Sequence, residues 1–212
     1  MQSSNKYIDI TKHKGGAKTL KYITHNPISK YLVSNFLAEI NKLVIESAPN
    51  SIHEVGCGEG HIISKILNER FSIMGSDISE QCLSIARNTL AKKKNVNLIN
   101  NDIYDLSPEN HSADLVICCE VLEHLCYPEK AIEVLSSITK KNLILSVPRE
   151  PIWRILNILR FKYIKNLGNT PGHIQHWSKK NFIKFIQIYM DVQIVRSPLP
   201  WTILLCRPKK IL

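Results

Sequence analysis

The sequence lacks several features that would assign it to a special class of protein. Its six cysteines form no CxxC pair and no spacing typical of zinc ligands, so we predict buried free thiols in a reducing compartment. It also lacks a signal-like apolar core near its start and any apolar run of about 20 residues, the length of a membrane-spanning helix. These absences predict a cytoplasmic protein that is soluble or attached to a membrane surface.

Internal repeats and low-complexity stretches are absent too, and 212 residues with 44% apolar and 22% charged side chains suit one globular domain. We predict this domain over residues 27–212, preceded by an extension over residues 1–26. The net charge of +10 is scattered along the chain, and this pattern does not favour a nucleic-acid partner. Only residues 149–165 combine basic side chains with aromatic and apolar neighbours.

Hydrophobic periodicity predicts how the chain is organised. Apolar residues at helical spacing predict an N-terminal helix over residues 27–47. The predicted strands are 51–55, 71–77, 96–99, 113–119, 143–147, 192–195 and 202–206, and the first three helices between them begin near Gly58, Ser79 and Pro128. This alternation favours an α/β, Rossmann-like, doubly wound sheet of seven strands. The last two strands look like a hairpin, so the last strand is predicted to be antiparallel.

The stretch IHEVGCGEGH, residues 52–61, places three glycines at alternate positions directly after a predicted strand. A strand, a glycine-rich turn and a helix bring backbone N–H groups and the positive end of the helix to one place, which suits a nucleotide-like ligand. His61 stands where a dinucleotide fingerprint needs its last glycine, and no Gly-Lys-Ser/Thr phosphate loop follows. A dinucleotide-binding oxidoreductase is therefore disfavoured.

The spacing Glu54-x-Gly56-x-Gly58-x-Gly60 resembles the first motif of class I S-adenosylmethionine-dependent methyltransferases. The resemblance implies that S-adenosylmethionine is the cofactor and that Glu54 lies near its methionine end. The turn residues that it implies at the cofactor are Gly56, Cys57, Gly58 and Gly60.

Two further positions extend the resemblance. Asp77, followed by Ile78, ends the second predicted strand, where members of the family bind the ribose hydroxyls through a carboxylate. Asp102 and Ile103, after the third strand, resemble the pair that reads the adenine edge. Together with the glycine turn, these residues predict a cofactor site at the carboxyl ends of the first three strands.

The segment EVLEH, residues 120–124, follows the fourth predicted strand. If it turns helically, Glu120, Glu123 and His124 share one face and could hold a divalent ion such as Mg²⁺ or act as an acid–base group. The segment is similar to that of quinone-biosynthesis O-methyltransferases and of small-RNA 2′-O-methyltransferases, and this resemblance implies a metal. Other members carry a similar segment without one and use it to shape the cofactor pocket, so Glu120 is also a candidate cofactor residue.

Two more imidazoles, His173 and His176, precede Trp177. A histidine beside the acceptor could remove its proton, which makes His124, His173 and His176 the candidate bases. The alternative is that one histidine only bonds a backbone carbonyl and that Trp177 packs in the core. The RNA-methylating branch instead carries HxH followed by an acidic residue and tryptophan, so the spacing here weakens that alternative.

The segment 149–177 follows the fifth predicted strand, where relatives insert a lid. Arg154, Asn157 and Arg160 form a narrow polar stripe on an otherwise apolar helix, which must be covered. Three interpretations remain open: a lid over an apolar substrate, an interfacial helix over residues 151–165 that meets lipid, and a core helix or dimer contact. The substrate-facing candidates are Arg149, Trp153 and Trp177.

The resemblance implies methyl transfer from S-adenosylmethionine to oxygen or nitrogen of a small, partly apolar acceptor. Within this enzyme class the alternative acceptors are a membrane-associated quinol or lipid precursor, and RNA. From a different class, the chain could be a non-catalytic S-adenosylmethionine-binding module.

Overall fold

Seven strands form one sheet in the order β3-β2-β1-β4-β5-β7-β6. The strands are β1 Ser51–Val55, β2 Ser72–Asp77, β3 Val96–Asn100, β4 Ala113–Cys119, β5 Thr139–Pro148, β6 Met190–Arg196 and β7 Trp201–Pro208. The first five pair in parallel, whereas β7 is antiparallel to both β5 and β6. The predicted doubly wound sheet with an antiparallel last strand is confirmed.

The structure is a computed structural model, and it describes residues 26–66 and 70–209. Of the predicted extension over residues 1–26, all but Asn26 lies outside this range. The helices are α1 Pro27–Ser47, α2 His61–Ile66, α3 Glu80–Leu90, α4 Pro108–His111, α5 Pro128–Ile138, α6 Ile152–Leu159 and α7 Lys179–Tyr189. The Asn26 side chain caps α1 by accepting hydrogen bonds from two backbone N–H groups of its first turn.

Helix α2 begins three residues later than predicted. Gly56, Gly58 and Gly60 all have positive φ angles, which a right-handed helix cannot include. The glycine turn therefore occupies the whole interval between β1 and α2. Ser79, by contrast, caps α3 as its position suggests, because its hydroxyl accepts a hydrogen bond from Cys82 N.

Apolar side chains from the helices cover both faces of the sheet. One core cluster joins α1, α2 and α3 to strand residues, and Phe36 of α1 is fully buried in it. The second joins α5 and α7 to the other side chains of the strands, with Phe182 at its centre. Five of the six cysteines are buried free thiols, and Cys126 is partly buried. Burial on both faces accounts for the long apolar runs of the central strands.

The strand order reverses between β1 and β4, because β2 and β3 lie on one side of β1 while β4 and β5 lie on the other. Open α/β sheets bind ligands in the crevice at the carboxyl ends of the strands beside such a reversal. Every candidate residue from Glu54 to Trp153 lies at or beyond the carboxyl end of β1, β2, β3, β4 or β5. This edge of the sheet is therefore the candidate ligand-binding site.

Candidate active site

Two of the three glycines in the turn after β1, Gly56 and Gly58, have different environments. A Cβ on Gly56 would lie 2.3 Å from Cγ2 of Val121, so the turn packs directly against the loop after β4. A Cβ on Gly58 would meet nothing within 4 Å, although the residue has a φ of +53°. Gly56 is needed for packing, whereas Gly58, although buried, has open space beside its Cα that part of a ligand can occupy.

Asp77 ties this turn to the end of β2. Its Oδ2 accepts a hydrogen bond of 2.7 Å from Gly58 N, and its Oδ1 accepts one of 2.8 Å from Ser79 N. Each carboxylate oxygen has two lone-pair sites, so both retain capacity for hydroxyl donors. The carboxylate is largely buried yet fixed where the strand ends.

Glu54 and Cys57 lie beneath the turn. Glu54 is buried, and its Oε2 accepts a hydrogen bond of 3.2 Å from Ile63 N in α2. Burial raises the pKa of Glu54 well above its ordinary value, and the backbone hydrogen bond offsets only part of that effect. Burial likewise raises the pKa of Cys57, which keeps it a neutral thiol. The described contacts of Glu54 are those of a group that holds α2 against β1.

The ends of β2 and β3 meet beside the turn. Asn101 N donates a hydrogen bond to Asp77 O, and Asp102 accepts one of 3.1 Å from Tyr104 N. This second bond caps a short 3₁₀ turn, residues 103–105, whose first residue, Ile103, is buried. Ile78 is half exposed and offers an apolar surface at the same edge. The predicted cofactor residues of the first three strands therefore converge.

Glu120 departs from the prediction that it shares a helical face with Glu123 and His124. Its φ is +61°, and only a single 3₁₀ turn, Leu122–His124, follows it. The Glu120 carboxylate accepts hydrogen bonds from Trp201 Nε1, at 2.8 Å, and from Ser146 Oγ, at 3.4 Å. It is thus directed towards β5 and β7, and the prediction of a Glu120, Glu123 and His124 metal set is wrong.

The structure instead groups Glu123 and His124 with His173, whose possible ligand atoms all lie within 4.8 Å of one another. His124 Nδ1 lies 2.9 Å from Gly172 O, and since a carbonyl only accepts, Nδ1 carries the proton in the neutral ring. Nε2 is then the basic nitrogen, and it lies 3.9 Å from Oε1 of buried Glu123. The rings of His124 and His173 meet edge to face, with 4.9 Å between their centroids.

The loop that carries His173 is bound to the 3₁₀ turn through its backbone. Ile174 N and Gln175 N both donate hydrogen bonds to Glu123 O, at 2.9 and 3.0 Å. His176 lies outside the cluster, since its side chain is exposed and its Nε2 is 2.9 Å from Asn169 Oδ1. Burial, followed by the charge of Arg154, lowers the pKa of His176.

The two candidate tryptophans face different surroundings. Trp153 stacks on His173 with ring centroids 5.8 Å apart, contacts Trp201 at 5.9 Å, and donates a 2.9 Å hydrogen bond to Thr170 Oγ1. Trp177 packs against Phe182 and Phe185 of α7, with 5.6 Å between ring centroids in both pairs. Trp153 therefore lines the histidine cluster, whereas Trp177 has the contacts of a packing residue. Trp201 belongs beside Trp153, and sequence reasoning missed it because it lies 81 residues from its partner Glu120.

In helix α6 and the chain after it, residues 152–167, a polar side chain is buried and many large apolar side chains are exposed. We call this stretch the apolar segment. Its buried residue is Asn157, which donates hydrogen bonds to Gly168 O and Thr170 Oγ1 and accepts one from Arg160. Its exposed large apolar side chains are those of Ile155, Ile158, Leu159, Phe161, Tyr163, Ile164 and Leu167. Of the three interpretations, a core helix is not supported, because these side chains are not covered by the part of the chain that the structure describes.

Residues 53–143 match the sequence pattern of a family described as a methyltransferase domain. A curated relative, the ubiquinone biosynthesis O-methyltransferase of Coxiella burnetii, is 24% identical over an alignment of 149 residues, and the match covers 64% of this chain and 64% of that protein. The chain thus spans slightly less than two thirds of the length of this relative.

Solved structures share the fold. Magnesium protoporphyrin IX methyltransferase from Synechocystis, with bound S-adenosylhomocysteine, superposes with a TM-score of 0.69 over 94% of this chain and 95% of that one, at 19% identity. The small RNA methyltransferase HEN1 superposes with a TM-score of 0.65 over 84% of this chain and 25% of that one, at 22% identity. At such identities the likeness concerns the fold alone.

Proposed function

The chain belongs to the class I S-adenosylmethionine-dependent methyltransferases, and from that premise we propose that it transfers a methyl group to a small, partly apolar acceptor. The observation that carries the proposal is the convergence of the open glycine turn, Asp77 and Asp102 at the ends of three adjacent strands. These elements come from separate parts of the sequence, and the sheet brings them together.

The residues at this edge fit the cofactor in shape and in chemistry. The open space above Gly58 gives room for a ligand against the backbone. Asp77 retains lone pairs for two ribose hydroxyls, and Ile78 with Ile103 offers apolar surface for a base. Asp102 would accept a hydrogen bond from the adenine amino group. In this proposal Glu54 positions the glycine turn indirectly, because its hydrogen bond from Ile63 N holds α2 against β1.

When bound, S-adenosylmethionine supplies a methyl group activated by a positively charged sulfur. The protein's contribution is to hold the acceptor in line and to exclude water. Trp153 and the histidine cluster supply the wall on the acceptor side. The basic Nε2 of His124 is placed to take the proton of an acceptor hydroxyl, and neighbouring His173 is the second candidate.

The same Nε2 atom could instead bind a divalent ion, with Glu123 and His173 as the other ligands. The Nδ1–H bond to Gly172 O orients the His124 ring as metal-binding histidines require. Two imidazoles and one carboxylate suit Mn²⁺, Fe²⁺ or Zn²⁺ better than Mg²⁺, which prefers oxygen ligands. A base and a metal ligand exclude each other at one nitrogen, so loss of transfer on chelation with EDTA would favour the metal.

The apolar segment favours one alternative within this class, a membrane-associated acceptor such as a quinol or lipid precursor. Exposed Phe161 and Leu167 are interleaved with Arg160, Lys162 and Lys165, a combination that suits insertion at an anionic bilayer surface. Among residues 26–66 and 70–209, no helix is long and apolar enough to cross a membrane.

Vesicle flotation tests this alternative. Because Trp153 packs inward, the informative variant is Phe161→Asp, with Ile188→Asp as its control, since Ile188 is an exposed apolar residue of α7. Wild type and Ile188→Asp should float with phosphatidylglycerol vesicles and Phe161→Asp should not. Equal, negligible flotation of all three would remove the alternative.

The proposed activity is tested by incubating the protein with methyl-labelled S-adenosylmethionine and a cell extract, then separating lipid-soluble, small water-soluble, RNA and protein fractions. We expect label in a small-molecule or lipid-soluble fraction with wild type and none with Asp77→Ala. Label confined to RNA would support the RNA alternative. Cofactor binding without transfer to any fraction would support a non-catalytic binding module.

A further inference from the structure

Three charged residues at the carboxyl end of β5 form a cluster that the proposed reaction has not used: Arg149, Glu150 and Arg154. The Arg154 Nε atom lies 3.6 Å from Glu150 Oε1, and the Glu150 side chain is only 12% exposed. The backbone of the cluster is fixed, because Arg149 N donates to Pro200 O and Glu150 N donates to Trp177 O. The sheet and the neighbouring loop therefore fix the backbone positions from which the Arg149 and Glu150 side chains start.

Four polar atoms of this cluster are not satisfied by side-chain hydrogen bonds, although Arg154 Nε and Glu150 Oε1 face each other as an ion pair at 3.6 Å. Arg149 Nε, Arg154 Nε and both carboxylate oxygens of Glu150 are buried and make no hydrogen bond within residues 26–66 and 70–209. The Arg154 charge and its backbone N–H face the carboxylate and lower its pKa, but burial outweighs them and raises it. Native proteins leave few buried polar atoms unsatisfied, because each costs free energy. Four in three nearby residues indicate that a group from outside these residues completes the cluster.

The chemistry of the four atoms restricts that group. An arginine Nε–H needs an acceptor, whereas a carboxylate oxygen needs a donor. A carboxylate ligand would satisfy the arginines but be repelled by Glu150, and an ammonium ion would do the reverse. A hydroxyl donates one hydrogen bond and accepts others, so it can satisfy both sides of the pair at once.

The position of the cluster relates it to the acceptor. Trp153 lies between its two arginines in the sequence, donates its backbone N–H to Arg149 O, and stacks on His173. The cluster is therefore adjacent to the aromatic wall of the candidate acceptor site. We propose that Arg149, Glu150 and Arg154 bind a hydroxyl group of the acceptor and so select a hydroxylated, partly apolar compound. This inference rests on the proposed function, since it makes the cluster part of the acceptor site.

Three probes of one shape test the proposal: phenol donates and accepts hydrogen bonds, anisole only accepts, and toluene does neither. Binding is measured by tryptophan fluorescence or NMR on protein saturated with S-adenosylhomocysteine. We expect phenol to bind about tenfold more tightly than toluene, as a charge-assisted hydrogen bond would give, with anisole in between. Glu150→Gln should bring phenol to about the level of anisole, because the arginines can still donate to its oxygen, while Glu133→Gln, at an exposed acid of α5, should change nothing.

Equal binding of phenol and toluene by wild type would overturn the proposal and leave the cluster a hydrated ion pair. Unchanged phenol binding by a folded Glu150→Gln protein would do the same. If that variant fails to fold, Arg154→Gln, at the more exposed partner, takes its place with the same expected loss. A wild-type protein that does not bind S-adenosylhomocysteine would remove the proposed function first, so the two failures are distinguishable.

Discussion

The two halves of the sheet edge differ in how their polar groups are satisfied. At the ends of β1, β2 and β3, the carboxylates of Glu54, Asp77 and Asp102 each accept a hydrogen bond from a nearby backbone N–H. Beyond β5, the Arg149, Glu150 and Arg154 cluster retains polar atoms without hydrogen bonds, and the apolar segment exposes its large side chains. In the first region the carboxylates are hydrogen-bonded within the protein. In the second region, polar atoms and apolar side chains are left to interact with a group from outside the described residues. This difference supports the proposed cofactor site at the ends of β1, β2 and β3, which we call the cofactor half, and the proposed acceptor site beyond β5, which we call the acceptor half.

The largest expected effect is the loss of stability caused by Gly56→Ala, which would force the glycine turn against the loop after β4. The added Cβ would lie 2.3 Å from Val121 Cγ2 and the residue would keep a positive φ, so we expect unfolding to become easier by about 2 to 5 kcal/mol. Gly58→Ala is the matched control, because its Cβ meets only open space and only the backbone cost of about 1 to 2 kcal/mol remains. Chemical denaturation measures both. Equal losses would show that the Val121 contact does not matter.

A second effect concerns His53, which is buried in the cofactor half with its ring nitrogens bonded to Ser76 Oγ and His111 O. Burial lowers the pKa of His53 to about 4, from 6.5 in the unfolded chain. Between these values only the unfolded chain takes up the proton, so stability is lost as the pH falls from 6.5 to 4. The expected loss from this group is about 3 kcal/mol.

Denaturation at several pH values, compared with His53→Gln, isolates that contribution. The variant should lose less stability than wild type over this range, whatever its stability at pH 7. A wild-type curve and a variant curve with the same slope would contradict the assignment to His53.

A smaller effect is expected in the acceptor half, from Asn157→Ala. The change leaves the Gly168 carbonyl without its buried donor and removes one of the two donors to Thr170 Oγ1, which should cost about 2 kcal/mol of unfolding free energy. Because these contacts lie outside the cofactor half, affinity for S-adenosylhomocysteine should stay within about twofold of wild type. Asn88→Ala, at an exposed position of α3, should stay within about 0.5 kcal/mol of wild type. Loss of cofactor affinity in Asn157→Ala would show that the halves are coupled.

The sequence predicts the cofactor half of the molecule better than the acceptor half. The bounds of α1 and β4 and the start of α5 agree with the prediction, and the candidate cofactor residues could be named because strand, turn and helix follow one another along the chain. Glu120 was misplaced because its turn has a positive φ and its partner Trp201 comes from β7. The pairing of His124 with His173 depends on a loop returning across the sheet edge. Local patterns carry no signal for such contacts.

Asn157 illustrates a second reason. Amphipathic periodicity indicates which side chains share a helix face, but it does not say which face turns inward. The contact of Gly168 with the α6 backbone, where a Cβ would lie 2.3 Å from Arg154 O, fixes the polar side inward. Only the folded loop supplies that information.

Calorimetric titration with S-adenosylhomocysteine tests the central claim, that the ends of β1, β2 and β3 form a cofactor site, most directly. Wild type and Asp191→Ala, a change at an exposed aspartate of β6, should bind one equivalent with the same affinity. Asp77→Ala should bind at least about tenfold more weakly, because it loses the carboxylate that accepts the hydrogen bond of Gly58 N and that, in the proposed site, would bind the ribose. No heat with wild type, or unchanged affinity in a folded Asp77→Ala protein, would contradict the account.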